Sequence, residues 1–138
     1  MNFDLSEEQL AFQATARDFA RTEMMAQAPA WDEGSIFPVE TLRRGAALGF
    51  GGIYVREDVG GAALDRLDAT IIFEELAQGC TSTAAYISIH NMTAWMIDAF
   101  GDAALRRRLL PRLCSMEHLA SYCLRIKRAQ YRLGIVFI

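Results

Sequence analysis

The sequence predicts an all-α fold, an antiparallel bundle of about five helices, followed by one short strand. Apolar residues recur at three- and four-residue steps through most of the first 118 positions. Helix caps and stops punctuate those runs, and only 119–124 reads as strand. Short connections favour neighbouring helices packed antiparallel on one another.

Ser6 followed by Gln9 is a capping box, marking a first helix of roughly twenty residues. Phe12, Ala16, Phe19, Ala20 and Met24 give that helix one apolar face. Pro29 and the stretch Asp32-Glu33-Gly34-Ser35 end it. Pro38 suits the first turn of a second helix, Val39 to Leu48, because its missing N–H would have no partner there. Gly49 stops that helix, and a loop runs to Gly61. Asp65 caps a third helix, with Ala69, Ile72, Phe73 and Leu76 inward and Arg66, Asp68 and Glu75 nearer water. The fourth helix, about Ser82 to Phe100, is apolar nearly all round and is expected to be buried all round. Either it is the central helix, or it covers a second structure. Asp102 caps a fifth helix, with Leu105 and Leu109 inward and Arg106, Arg107 and Arg108 toward solvent. Pro111 is expected to close it within a residue or two.

Hydrophobic content of 52% with 22% charged residues is globular rather than disordered. No apolar run is long enough to predict a membrane span. The acidic start, Met1 to Glu8, lacks a basic, apolar leader, so a cytoplasmic location is expected. Charge changes abruptly at Leu124. Before it stand ten arginines, no lysine and seventeen acids; after it come Arg125, Lys127, Arg128 and Arg132 with no acid. The acidic body gives nucleic acid no electrostatic footprint. Cys80, Cys114 and Cys123 lack paired spacing, which favours three reduced, mostly buried thiols over a disulfide or zinc site.

Spacing alone reveals no catalytic constellation. Gly49-Phe50-Gly51-Gly52-Ile53-Tyr54 begins like a dinucleotide fingerprint, but it follows a helix and has Tyr54 where the third glycine belongs. Turn chemistry is the better reading. His90 and His118 lie on different elements, and His90 reads as a hydrogen-bonded core histidine. No metal site is expected. Glu74 and Glu75 are adjacent on a helix, so they face different directions and cannot work as a pair.

Taken in order, several stretches resemble the N-terminal part of an acyl-CoA dehydrogenase. They are Phe3-Asp4-Leu5-Ser6-Glu7-Glu8-Gln9, Phe37-Pro38, Leu48 to Ile53, Glu57-Asp58-Val59-Gly60-Gly61 and Phe73-Glu74-Glu75-Leu76-Ala77, then Phe100-Gly101 and Leu110-Pro111. Ser82 to Met92, Met116-Glu117 and Ala120 to Leu124 look most like the isobutyryl-CoA branch of that family. The resemblance covers residues 1–124.

The resemblance implies a helical N-terminal domain over 1–118, the start of a middle β-domain at 119–124, and a non-family tail at 125–138. It implies FAD as cofactor, an acyl-CoA substrate and an electron-transferring flavoprotein as partner. In such enzymes a C-terminal-domain glutamate takes the α-proton while the β-hydride passes to the flavin, so no catalytic residue is expected within this chain. Tyr122, Cys123 and Leu124 match the start of the flavin-contacting strand, and Ser88, Ile89 and Met92 match acyl-pocket positions on the fourth helix. The family strand continues to Thr-Glu-Pro; here Arg125-Ile126-Lys127 follow, as an out-of-register truncation would leave them. The expectation is therefore a dehydrogenase fragment, inactive alone, with FAD held weakly or not at all. A helical acyl-CoA-binding module and a subunit-docking module are the alternatives. A greasy fourth helix and the apolar Gly134-Ile135-Val136-Phe137-Ile138 also predict self-association, and a homo-oligomer is possible on the same grounds.

Overall fold

Helix α1, Glu7–Phe19, starts at the predicted capping box: Ser6 Oγ accepts from the Gln9 N–H, and the Gln9 side chain accepts from the Ser6 N–H. The computed structural model describes residues 4–127 and 130–137, with the course of the backbone alone for 123–127 and 130–137. From Ala20 to Met25 the helix widens into a π turn, and Ala16, Phe19, Ala20 and Met24 face the core as their spacing predicts. Pro29 does not end helical structure. It sits in the first turn of a short helix α2, Ala28–Glu33, where a proline costs no hydrogen bond.

Helix α3 is Val39–Ala47, and Gly49 leaves it with φ 92°, a left-handed conformation that suits glycine. The loop beyond turns at Gly49–Gly52 and Gly52–Val55 and contains one short 3-10 helix, Glu57–Val59. Asp65 caps α4, Arg66–Gly79, by accepting from the N–H groups of Leu67 and Asp68. One residue, Cys80, separates α4 from the long α5, Thr81–Phe100. Helix α6, Ala103–Cys114, begins at the Asp102 cap and runs three residues past Pro111. Its last turn persists because Leu110, Leu113 and Cys114 are buried against Val55, Val59 and Ala94, which outweighs the one lost backbone bond.

The fold class is the all-α bundle that the sequence predicts. Strand β1, Ala120–Lys127, follows it and runs three residues beyond Leu124. The tail supplies a second strand, β2 (Gln130–Phe137), antiparallel to β1, with Ala120 opposite Phe137 and Lys127 opposite Gln130.

Helix α5 organises the bundle. It packs on α4, α6 and β1, and contributes Ala84 and Ile87 to one apolar cluster and Ala94 and Ile97 to a second. Among these sits Asn91, fully buried. Its Nδ2 donates to the carbonyls of Phe50 (2.7 Å) and Ile87 (2.9 Å), and its Oδ1 accepts from the Ile53 N–H (2.7 Å). One side chain thus fastens the glycine loop to the helix.

An apolar residue of similar volume at this position would orphan a buried donor and a buried acceptor of the loop. Asn91→Leu is expected to destabilise the fold by about 3 kcal/mol. Urea denaturation checks this; a loss below about 0.5 kcal/mol would contradict it.

Candidate functional site

The outer side of α5 carries the candidate site. Ser88, Met92 and Trp95 lie three and four residues apart, so they form one stripe of the helix. Opposite them stand Tyr54 from the glycine loop and Leu64, Asp65 and Arg66 at the start of α4; together they line a groove of about 550 Å³. Met92 and Trp95 remain 37% exposed, and Phe100, edge-to-face with Trp95 at 5.8 Å, is 78% exposed. The helix is therefore not sealed on all sides, as its sequence predicts, but presents one open apolar stripe.

Polar chemistry in the groove is sparse. The Asp65 carboxylate is committed to capping α4, and the Asp68 and Leu67 N–H groups hold it below the usual carboxyl range, against a smaller opposing effect of burial. It is therefore ionised at neutral pH and no proton donor. Ser88 contributes a hydroxyl and Tyr54 a phenol. The Arg66 guanidinium makes no hydrogen bond or ion pair among the described residues, leaving one cation for an anionic ligand group.

Two clamps position the walls. Asn91 is the first. The second is Asp98, one face-repeat later at i+7 and nearly buried. Arg56 grips it through its backbone N–H at 3.2 Å and its Nε at 3.1 Å, and Arg106 Nε donates at 2.7 Å. Arg106 also reaches Asp58 at 2.7 Å, so one network ties the loop to α5 and α6. Burial alone would raise the Asp98 pKa, but the hydrogen bonds from Arg56 and Arg106 outweigh it and hold the carboxyl below its ordinary range. Arg106 thus differs from the sequence reading: it is an inward ion-pair partner, while Arg107 and Arg108 are exposed. Glu75 differs likewise. It is buried, and Arg17 on α1 meets it with two hydrogen bonds of 2.6 and 3.0 Å.

His90 is fully buried with both ring nitrogens engaged, as a core histidine should be. Burial pushes its pKa down despite the opposing hydrogen bond to the Leu113 carbonyl, so it stays neutral. Burial pushes the Cys114 thiol up to about 11, which leaves it unreactive. Cys80 is half-buried and free, and no metal-binding group of side chains exists among the described residues.

Of the sequence-predicted positions, Ser88 and Met92 line the groove and Ile89 lies beside them, half-buried. Tyr122 is half-buried on β1, outside the groove lining; the side chains of Cys123 and Leu124 lie outside the described residues. Tyr54, Trp95 and the clamps Asn91 and Asp98 are additions. The i, i+7 spacing of Asn91 and Asp98 along a mostly apolar helix was the available signal for the clamps. A flavin dinucleotide needs phosphate-binding amides, and the glycine loop has few to offer. The N–H groups of Phe50, Gly52, Ile53 and Val55 already bond to Gly45 O, Gly49 O, Asn91 Oδ1 and Gly52 O. The loop is a turn, not a phosphate cradle.

Residues 6–117 match the family model described as acyl-CoA dehydrogenase, N-terminal domain. The chain belongs to the acyl-CoA dehydrogenase family. It is 60% identical to the mitochondrial isobutyryl-CoA dehydrogenase of Bos taurus and 55% identical to that of Dictyostelium discoideum. Each match covers 87% of this chain and 29% of the relative. A solved glutaryl-CoA dehydrogenase in complex with glutaryl-CoA superimposes with TM-score 0.82 at 32% identity, covering 88% of this chain and 32% of that one. An FAD complex of PigA shares the fold, with TM-score 0.82 at 25% identity over 87% of this chain and 32% of its own. The chain thus spans less than a third of the length of these relatives. The cytoplasmic expectation is corrected here. Both isobutyryl-CoA relatives are mitochondrial by name, which points away from the cytoplasm, and an acidic helix cap near residue 6 carries no information about compartment. No helix among the described residues is long and apolar enough to cross a membrane.

The Asp98 network sets an acid dependence. An unfolded aspartate takes up its proton near pH 4, whereas the folded one resists, so stability falls as pH drops from about 4 through the lower folded value. Asp98→Ala is expected to cost about 1–3 kcal/mol at pH 7, because Arg56 and the half-buried Arg106 lose their shared partner and Arg106 keeps only Asp58. Asp98→Asn should flatten the acid limb. Thermal melts from pH 7 to 2.5 check both; an acid limb of unchanged slope in the Asn variant would contradict the assignment.

Proposed function

We propose that residues 1–118 form the helical N-terminal domain of an FAD-dependent acyl-CoA dehydrogenase acting on a short branched acyl-CoA such as isobutyryl-CoA. Residues 119–124 begin the neighbouring β-domain, and 125–138 are a tail outside the family pattern. The observation that carries this reading is the open stripe of α5, Ser88–Met92–Trp95, on a chain of this family. In this reading Ser88, Ile89 and Met92 supply one wall of the acyl pocket. Small and flexible side chains there suit a short branched group, and the apolar surface keeps water from the reacting carbons. Tyr122, Cys123 and Leu124 are the proposed flavin-side strand.

FAD, when bound, supplies the redox chemistry. The residues present do not make up its site. Most of the glycine-loop amides are bonded within the fold, and Arg125 stands where the family strand turns to threonine. Asp65 is committed to a helix cap and His90 has no free nitrogen, so neither serves as the proton-abstracting base. We therefore infer that residues 1–138 bind or orient but do not oxidise. An electron-transferring flavoprotein is the proposed acceptor for the whole enzyme.

Purified 138-residue protein, mixed with FAD, isobutyryl-CoA and an electron-accepting dye, is expected to give no dye reduction above the protein-free rate. Sustained reduction with no other chain present would overturn this inference.

A further inference from the structure

Ala120, the first residue of β1, is completely buried, and α5 takes up both of its backbone polar groups. Its N–H donates to His90 Nδ1 at 3.1 Å. A backbone amide can only donate, so Nδ1 carries no proton and the ring is the Nε2–H tautomer. That Nε2–H donates to the carbonyl of Leu113, 3.0 Å away in the last turn of α6. One helical turn earlier, Tyr86 donates its hydroxyl to the Ala120 carbonyl at 3.3 Å. The two rings lie 6.2 Å apart on the same face of α5.

This arrangement leaves β1 no freedom at its origin. A slip by one residue would bury an unpaired N–H beside His90 and turn every following side chain to the opposite face. Side chains alternate along a strand, so fixing Ala120 also fixes the face on which Tyr122 appears.

We propose that His90 and Tyr86 are positioning residues for β1, fixing the register with which the strand leaves the bundle and, with it, the face that Tyr122 shares with Ala120. His90 acts through Ala120 and touches no reacting atom.

Two substitutions separate its two hydrogen bonds. His90→Asn keeps an acceptor near the Nδ1 position, and His90→Gln keeps a donor near the Nε2 position. In the 138-residue protein, the Gln variant should speed amide exchange at Ala120 and Tyr122 about tenfold, while α4 amides stay at their original rates. The Asn variant should hold those two amides near the original rate. Equal acceleration in both variants, or a uniform rise across the domain, would overturn the proposal. Nitrogen-15 shifts of His90 in the unaltered protein give a second test that needs no variant: Nε2–H is expected, and a protonated Nδ1 would sink the clamp.

Discussion

A polar side chain buried in a helix must find partners outside that helix, and in this domain the requirement decides where the loops and the strand go. Helix α5 carries Tyr86, His90, Asn91 and Asp98 among its apolar residues. Each holds backbone or side chains from a different segment: β1, the end of α6, the glycine loop, and Arg56 with Arg106. Unmet, each buried group would cost roughly 1–3 kcal/mol, a large share of the stability of a small domain. Met, they give the bundle one arrangement rather than several greasy alternatives. The apolar clusters on either side supply the driving force, but they are non-directional and could not by themselves choose the register of β1 or the path of residues 50–56.

The rest of α5 has no such partner among the described residues. Ser88, Met92 and Trp95 face a groove walled by the same loop that Asn91 and Asp98 hold in place. The two features are linked, because the clamps that order the interior also set the width of the groove outside. A stripe of this kind is ordinary where a helical layer meets another domain, and relatives about three times as long have the chain to provide one. Hydrophobic periodicity all round the helix and exposure on one side are thus consistent. Among the described residues one side of the helix is buried and the other is open.

Much of this was legible in the sequence. The caps at Ser6, Asp65 and Asp102 and the stop at Gly49 mark real helix ends, because each rests on local hydrogen bonding or local φ preference that tertiary context does not override. The core faces of α1 and α4 follow from period alone. What failed were inferences that treat a residue type as fate. Glu75 and Arg106 read as solvent-facing charges, yet each is paired across helices with a residue at least eight positions away, which no local pattern encodes. Pro111 and Pro29 read as terminators; burial of Leu113 carried one helix onward, and a new first turn absorbed the other. Of the groove lining, Ser88 and Met92 are positions that the family resemblance named, whereas Tyr54 and Arg66 come from segments whose convergence only the fold reveals.

The openness of α5 can be measured directly. Hydroxyl-radical oxidation of the 138-residue protein, read at Met92 and Trp95, reports contact with solvent. The same reading at the aligned side chains of full-length Bos taurus isobutyryl-CoA dehydrogenase reports what a whole subunit covers. The expected result is rapid oxidation here and protection there. Protection of both residues in the short chain as a monomer, or equal oxidation in the two proteins, would mean that the stripe never served as a seat for another domain.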